Sequence, residues 1–108
     1  MYWYGDLYVG TTAAKNKSRI INKLKKHRFI KDVFVITRAS NGCDLFDIYP
    51  AGVLVQKYYK KIDLFVIGIA VSYGEAVELI RQIVEDVYCN QGITDLKQYF
   101  DDAWAKEA

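Results

Sequence analysis

The sequence predicts an α/β domain: a small, mostly parallel sheet of three strands, or four, covered by helices. Three observations predict it. The first is Leu64-Phe65-Val66-Ile67-Gly68-Ile69-Ala70-Val71, eight residues without a charge and rich in β-branched side chains. A half-buried strand alternates apolar with polar, so an unbroken apolar run this short reads as a strand buried on both faces. The second is the change of period that follows. Ala76, Val77, Leu79, Ile80, Ile83, Val84, Val87 and Tyr88 recur at helical spacing, with Glu75, Glu78, Arg81, Gln82, Glu85 and Asp86 on the other face. The third is the alternation of strand-like and helix-like segments along the whole chain, in the order β-α-β-(β)-α-β-α-α, as expected of a sheet with helices packed on it.

The elements follow in order. Met1 to Val9 reads as a strand, with Met1, Trp3, Leu7 and Val9 on one face and Tyr2, Tyr4, Asp6 and Tyr8 on the other. Gly10-Thr11-Thr12 breaks it. Asn16 to Arg28 reads as a helix whose apolar stripe is Ile20, Ile21 and Leu24, continued by His27. Val33-Phe34-Val35-Ile36 is a second strand, and Asn41-Gly42 is a turn signal after it. Leu45 to Tyr49 reads either as the return strand of a hairpin or as a loop. Pro50 suits a first helical turn, and Ala51, Leu54, Val55, Tyr58 and Ile62 fit one face of a helix from Pro50 to Lys60. The apolar strand comes next, with Gly68 where a neighbour approaches closely. Ser72 and Glu75 form a capping box for the long helix, and Gly92 ends it in the left-handed conformation. Thr94 then caps a last helix, whose stripe is Leu96, Tyr99, Phe100, Ala103 and Trp104.

If 45–49 is a strand, the first six elements read βαββαβ, the order of a ferredoxin-like α+β fold. That order makes the last strand an edge, and Leu64 to Val71 is too apolar for an uncovered edge. The parallel arrangement is therefore the expectation, and the ferredoxin-like one the alternative.

Composition bounds the rest. The chain has 108 residues, 52% of them hydrophobic and 26% charged, the profile of one globular domain spanning residues 1–108 rather than of a disordered chain. No apolar run is long enough to span a bilayer. The first residues lack a basic segment ahead of an apolar one, so no signal peptide is expected. Cys43 and Cys89 are far apart and form no CxxC pair, which points to free thiols and a cytoplasmic setting. The formal charge of +2 hides an asymmetry. Residues 1–62 carry twelve Lys/Arg against four Asp/Glu, a balance of +8, and residues 63–108 carry three against nine, a balance of −6. Such polarity attracts a polyanion at one end, or lets copies associate.

Three functional readings follow. The first is a non-catalytic interaction or regulatory module that self-associates. Nine Tyr and two Trp must find cover, aromatics favour interfaces, and no catalytic constellation is visible. The second is nucleic-acid binding through the acid-free basic segment Lys15, Lys17, Arg19, Lys23, Lys25, Lys26, Arg28 and Lys31, with Lys57-Tyr58-Tyr59-Lys60-Lys61 adding charge and aromatic rings. The third is a small-anion or phosphate site at the carboxyl ends of the strands. In a parallel sheet these ends gather Thr11, Thr12, Arg38, Ser40, Asn41, Ser72 and Tyr73 beside helix N-termini.

Other motifs carry less. Gly10-Thr11-Thr12-Ala13-Ala14-Lys15 lacks the second glycine and the Lys-Ser/Thr pair of a phosphate loop, so nucleotide hydrolysis is discarded. His27 is the only histidine, no G-x-S-x-G elbow exists, and zinc-ligand spacing is absent, so no metal or cofactor is expected. His27 reads as structural, Cys89 as packed, and Asp44 and Asp47 as solvated turn acids.

Overall fold

A computed structural model describes residues 1–39 and 44–107, the side chains of residues 60 and 61 excepted. Strand β1 (Tyr2–Val9) leads through a 3₁₀ turn (Ala13–Asn16) into helix α1 (Lys17–Lys25). Strands β2 (Phe34–Arg38) and β3 (Phe46–Pro50) follow, then a second 3₁₀ turn (Ala51–Val55) and the one-turn helix α2 (Lys57–Lys61). Strand β4 (Phe65–Ala70), helix α3 (Tyr73–Glu85), a π-turn (Asp86–Asn90) and helix α4 (Leu96–Glu107) complete the chain.

The sheet order is β1-β4-β2-β3. β1 runs parallel to β4, with Tyr2 opposite Phe65 and Val9 opposite Ile69. β2 runs antiparallel to both β4 and β3. The expected mostly parallel sheet is thus corrected to a mixed one, with two of its three pairings antiparallel. The ferredoxin-like alternative fails as well, because the last strand lies inside the sheet. The physical reason is visible in β4, where every residue from Phe65 to Ala70 is buried. Such a strand needs a neighbour on each edge and cover on each face. β1 and β2 supply the edges, whatever their direction. The uncertain segment at 45–49 is a strand, pairing Ile48 with Ile36 and Phe46 with Arg38. The expected Asn41-Gly42 turn lies outside the described residues.

Each face of the sheet has its own core. On one, Tyr4, Ile36, Phe65 and Ile67 pack with Ala76, Leu79, Ile83 and Val87 and with Leu96 and Phe100 of α4. On the other, Val35, Val66 and Ile69 pack with Ile20 and Leu24 of α1 and with Ala51 and Leu54. The two faces predicted for β1 separate accordingly: Tyr2, Tyr4 and Tyr8 join the α3/α4 side, and Met1, Trp3, Leu7 and Val9 join the α1 side. Gly5 and Asp6 are exposed where the β1–β4 register shifts between Trp3 and Tyr8.

Three local expectations change. The helix predicted from Pro50 to Lys60 is broken, because Gln56 is extended (ψ 146°), leaving the 3₁₀ turn and α2 as separate pieces. Asp95, not Thr94, supplies the side-chain cap of α4, its carboxylate accepting from the Gln98 amide at 3.0 Å. Finally, α1 stops at Lys25. His27 leaves the helix with φ 53°, while its amide donates to Leu24 O and the Arg28 amide to Lys23 O. That pair of bonds is a Schellman motif, which satisfies carbonyls the helix end leaves open. Gly92 has φ 69°, the left-handed conformation expected of it.

Aromatic side chains fill the α3/α4 core. Phe65 stacks on Trp104 with centroids 5.7 Å apart, and Phe100 lies edge-on to both Tyr4 and Phe46 at 5.5 Å. Their polar ends are satisfied: the Tyr4 and Tyr99 hydroxyls share a hydrogen bond of 2.6 Å, and Tyr8 donates to Asp86 at 2.5 Å.

Two outcomes are expected of this core. A Cβ added at Gly68 would lie 3.1 Å from Leu79 Cδ2 and 3.3 Å from both Ile36 Cδ1 and the Tyr8 carbonyl oxygen. Gly68→Ala should therefore cost about 1–3 kcal/mol, the usual cost of overpacking, seen as a lower denaturant midpoint with an unchanged slope. The second concerns alkali. Burial, followed by hydrogen bonding to Tyr99, pushes the Tyr4 phenol well above its ordinary pKa of 10.0. Burial and the bond to Asp86 do the same for Tyr8. A raised acid in the fold contributes stability that is complete below the unfolded value and is lost as pH rises towards the folded one. Stability should stay level to about pH 10 and then fall by up to about 1.4 kcal/mol per pH unit for each phenol. Denaturant midpoints measured across that range should show the fall, and Tyr8→Phe should reduce its slope.

Candidate functional site

The strand-end cluster comes apart in the mixed sheet. Gly10-Thr11-Thr12 and Ser72-Tyr73 follow the parallel strands β1 and β4 and lie at one end. β2 runs the other way, so Arg38 lies at the opposite end, where β4 begins. Ser40 and Asn41 lie outside the described residues. Arg38 is 6% exposed and is engaged within the fold: Nε donates to Asp101 at 2.8 Å and a terminal nitrogen to the Ala39 carbonyl at 2.6 Å.

At the β1/β4 end, the chain supplies its own anion. Ser72 Oγ accepts from the Glu75 amide at 3.0 Å, as half of a capping box. The Glu75 carboxylate does not complete the box on the Ser72 amide. It accepts instead from the Val71, Thr12 and Ala13 amides, each at 3.3 Å. Gly10 makes this reach feasible, because a Cβ there would collide with the Glu75 carboxylate. Glu78 lines the small hollow beside it, about 250 Å³, together with Thr11 and Gln82. Thr11, Thr12 and Ser72 are exposed beside a carboxylate that already takes the amides an anion would use, while Tyr73, also exposed, turns to the other flank against Phe34.

The eight basic residues separate into groups. Arg19, Lys23 and Lys31 line a concavity of about 370 Å³ with Asn16, Phe29 and Asp32. Lys15 and Lys17 line a second, about 380 Å³, which shares Asn16 and Arg19 with the first. Lys25 sits over the Trp3 ring, 5.6 Å from its centroid. Lys26 and Arg28 are exposed and line neither hollow. Tyr58, whose spacing puts it on the apolar face of the helix predicted from Pro50 to Lys60, is exposed, with its ring edge-on to Tyr59 at 5.0 Å.

The third surface is apolar. Tyr73, Val77, Val84 and Tyr88 are 61%, 48%, 37% and 52% exposed. They lie at spacings of four, seven and four, with half-buried Ile80 between them, and so form one stripe along α3 and the π-turn. The Tyr73 ring rests edge-on against Phe34 at 6.1 Å, which places the stripe above β2. The opposite flank of α3 carries Glu75 and Asp86, which hold the β1 side. Arg81 is clamped between Glu78 and Glu85 at 2.7 and 2.6 Å, on the solvent side of the helix.

Sequence reading singled out neither Phe29, which is 64% exposed, nor the outer stripe of α3. The stripe had a signal: eight apolar positions on one helix are more than a single core-facing arc can bury. His27 is half-buried with Nδ1 unpartnered. Cys89, expected to be packed, is exposed, because at four and seven residues beyond Glu85 and Gln82 it continues their solvent-facing side rather than the Ile83–Val87 side. Cys43 lies outside the described residues. Asp47 accepts from the Tyr49 hydroxyl at 3.4 Å. Among the described residues, no group of three or more His, Cys, Asp or Glu could hold a metal ion, and no helix is long and apolar enough to cross a membrane.

Comparison of the chain with protein families, with curated proteins and with solved structures finds no match.

The Glu75 contacts are directly testable. Glu75→Ala removes three charge-assisted hydrogen bonds of about 3.3 Å and should cost about 1–2 kcal/mol in denaturant unfolding. It should also speed amide hydrogen exchange at Thr12, Ala13 and Val71 more than elsewhere.

Proposed function

We propose that the protein is a non-catalytic interaction module that pairs with a second copy of itself through the outer flank of α3. The observation that carries this reading is the exposed stripe of Tyr73, Val77, Val84 and Tyr88, continuous through Ile80 with the core beneath. A contiguous apolar strip on a small protein marks a contact surface more often than a free one.

The stripe also suits a two-fold axis. Its members are symmetric about a point between residues 80 and 81. An antiparallel pairing of two α3 helices around that point sets Val77 against Val84 of the second copy, and Tyr73 against Tyr88. One patch then serves both partners, as an isologous interface requires. Tyrosine at the two ends combines apolar area with a hydroxyl that can remain wet. The Glu78–Arg81–Glu85 clamp lies beside the stripe rather than across it, so pairing need not strip water from an unpaired charge.

Sedimentation equilibrium over a range of concentrations tests the proposal. The wild-type chain should dimerise reversibly. Val77→Glu combined with Val84→Glu should raise the dissociation constant at least ~100-fold without unfolding the monomer, since both side chains reach solvent. A wild-type monomer at the highest concentration would refute the pairing, and an unaffected double variant would move it to another face.

A further inference from the structure

The concavity between α1 and the segment that doubles back beneath it has a different chemistry. The Schellman turn at His27 reverses the chain, so that residues 29–33 run back along α1. Ile30 and Val33 are buried in the α1-side core and fix this segment at two points. Phe29, between that turn and Ile30, is held outward. Its ring touches the backbone at Gly52, where a Cβ would lie 2.8 Å from Cε2, and most of its remaining surface is open to solvent. Beside the ring, Arg19, Lys23 and Lys31 line the concavity against a single acid among the described residues, Asp32. Arg19 and Asn16 continue into the adjoining hollow, where Lys15 and Lys17 add two more cations. None of these five cations makes an ion pair among the described residues. Arg38 and Arg81, by contrast, are paired, while Arg28, which is exposed, makes no ion pair among the described residues, as with the furrow's cations.

We infer that this furrow binds single-stranded nucleic acid, its phosphates following Lys15, Lys17, Arg19, Lys23 and Lys31 and one base stacking on Phe29. Two adjoining cationic hollows match a repeating anion better than a single phosphate. An open aromatic ring at the end of the row gives a base somewhere to stack, and only an unpaired strand can offer that face. Lys25 is taken up by Trp3, and Lys26 and Arg28 lie off the furrow, so binding is confined to part of the basic segment.

Fluorescence anisotropy with a labelled oligothymidylate tests it, using the full chain at several salt concentrations. Binding should weaken as salt rises, and Arg19→Gln with Lys23→Gln should flatten the log–log slope by about 0.7 for each phosphate that is no longer neutralised. Phe29→Ala should weaken the oligothymidylate about 5- to 150-fold with the slope unchanged, while leaving inorganic polyphosphate binding as it was. Lys26→Gln with Arg28→Gln is the charge-matched control and should have the smaller effect. Circular dichroism confirms that each variant is folded. The inference is overturned by absence of binding at low salt, by equal affinity for duplex, by a control pair as damaging as Arg19 and Lys23, or by a Phe29→Ala variant that binds like the wild type.

Discussion

The two-sided burial of β4 is the constraint on which the remaining structure depends. Phe65, Val66, Ile67, Ile69 and Ala70 are all fully removed from water. Each large side chain among them contributes on the order of 1.5–3 kcal/mol when moved from solvent to the interior. Collecting that energy requires two covered faces and two paired edges at once. α1 with the Ala51–Val55 turn covers one face, α3 with α4 covers the other, and β1 and β2 take the edges. Gly68 belongs to the same requirement, since Leu79, Ile36 and the Tyr8 carbonyl close over it from three directions.

Burial was legible in the sequence because it is written residue by residue. The unbroken run at 64–71 named the central strand, alternation named both faces of β1, and the i, i+3, i+4 stripe named the buried side of α4. Strand direction was not legible, because a paired edge satisfies backbone groups in either orientation. The long excursion from Asp44 to Asp63 holds both a hairpin strand and a broken helical segment, and its apolar spacing fits either. The candidate site at the strand ends was inherited from the parallel topology. Once β2 turned antiparallel, Arg38 moved to the far end and became the partner of Asp101. Ser72 was read correctly as the cap, but the Glu75 carboxylate, expected to close the box on the Ser72 amide, reaches instead a loop 62 residues earlier in the chain, which no local pattern reports.

The sheet also sorts charge. α1 and its flanking lysines lie on one face, and the acidic side chains of α3 and α4 lie on the other. The asymmetry between the two halves of the sequence thereby becomes an asymmetry between two sides of one molecule. The proposed surfaces inherit that separation. The apolar stripe of α3 runs beside glutamates that would repel a phosphate backbone, and the furrow of α1 carries cations that would repel one another across a two-fold interface. Each surface is poorly suited to the other's partner, and the sheet between them is too well packed for either to cross it.

The placement of Glu75 explains why an anion would be taken at α1 rather than at the strand ends. Backbone amides beyond parallel strands and at a helix start attract negative charge in general. Here a carboxylate tethered to the first turn of α3 meets three of those amides at no translational cost, so an incoming phosphate would have to displace an intramolecular competitor and then tolerate Glu78 nearby. The amides at that edge are thus turned to holding β1, its following turn and α3 together. Around α1, nothing comparable exists among the described residues: the cations of the furrow face a single acid and no clamp. The same physical preference for negative charge is satisfied internally at one side of the molecule and left open at the other, which is why the proposed anion site lies along α1.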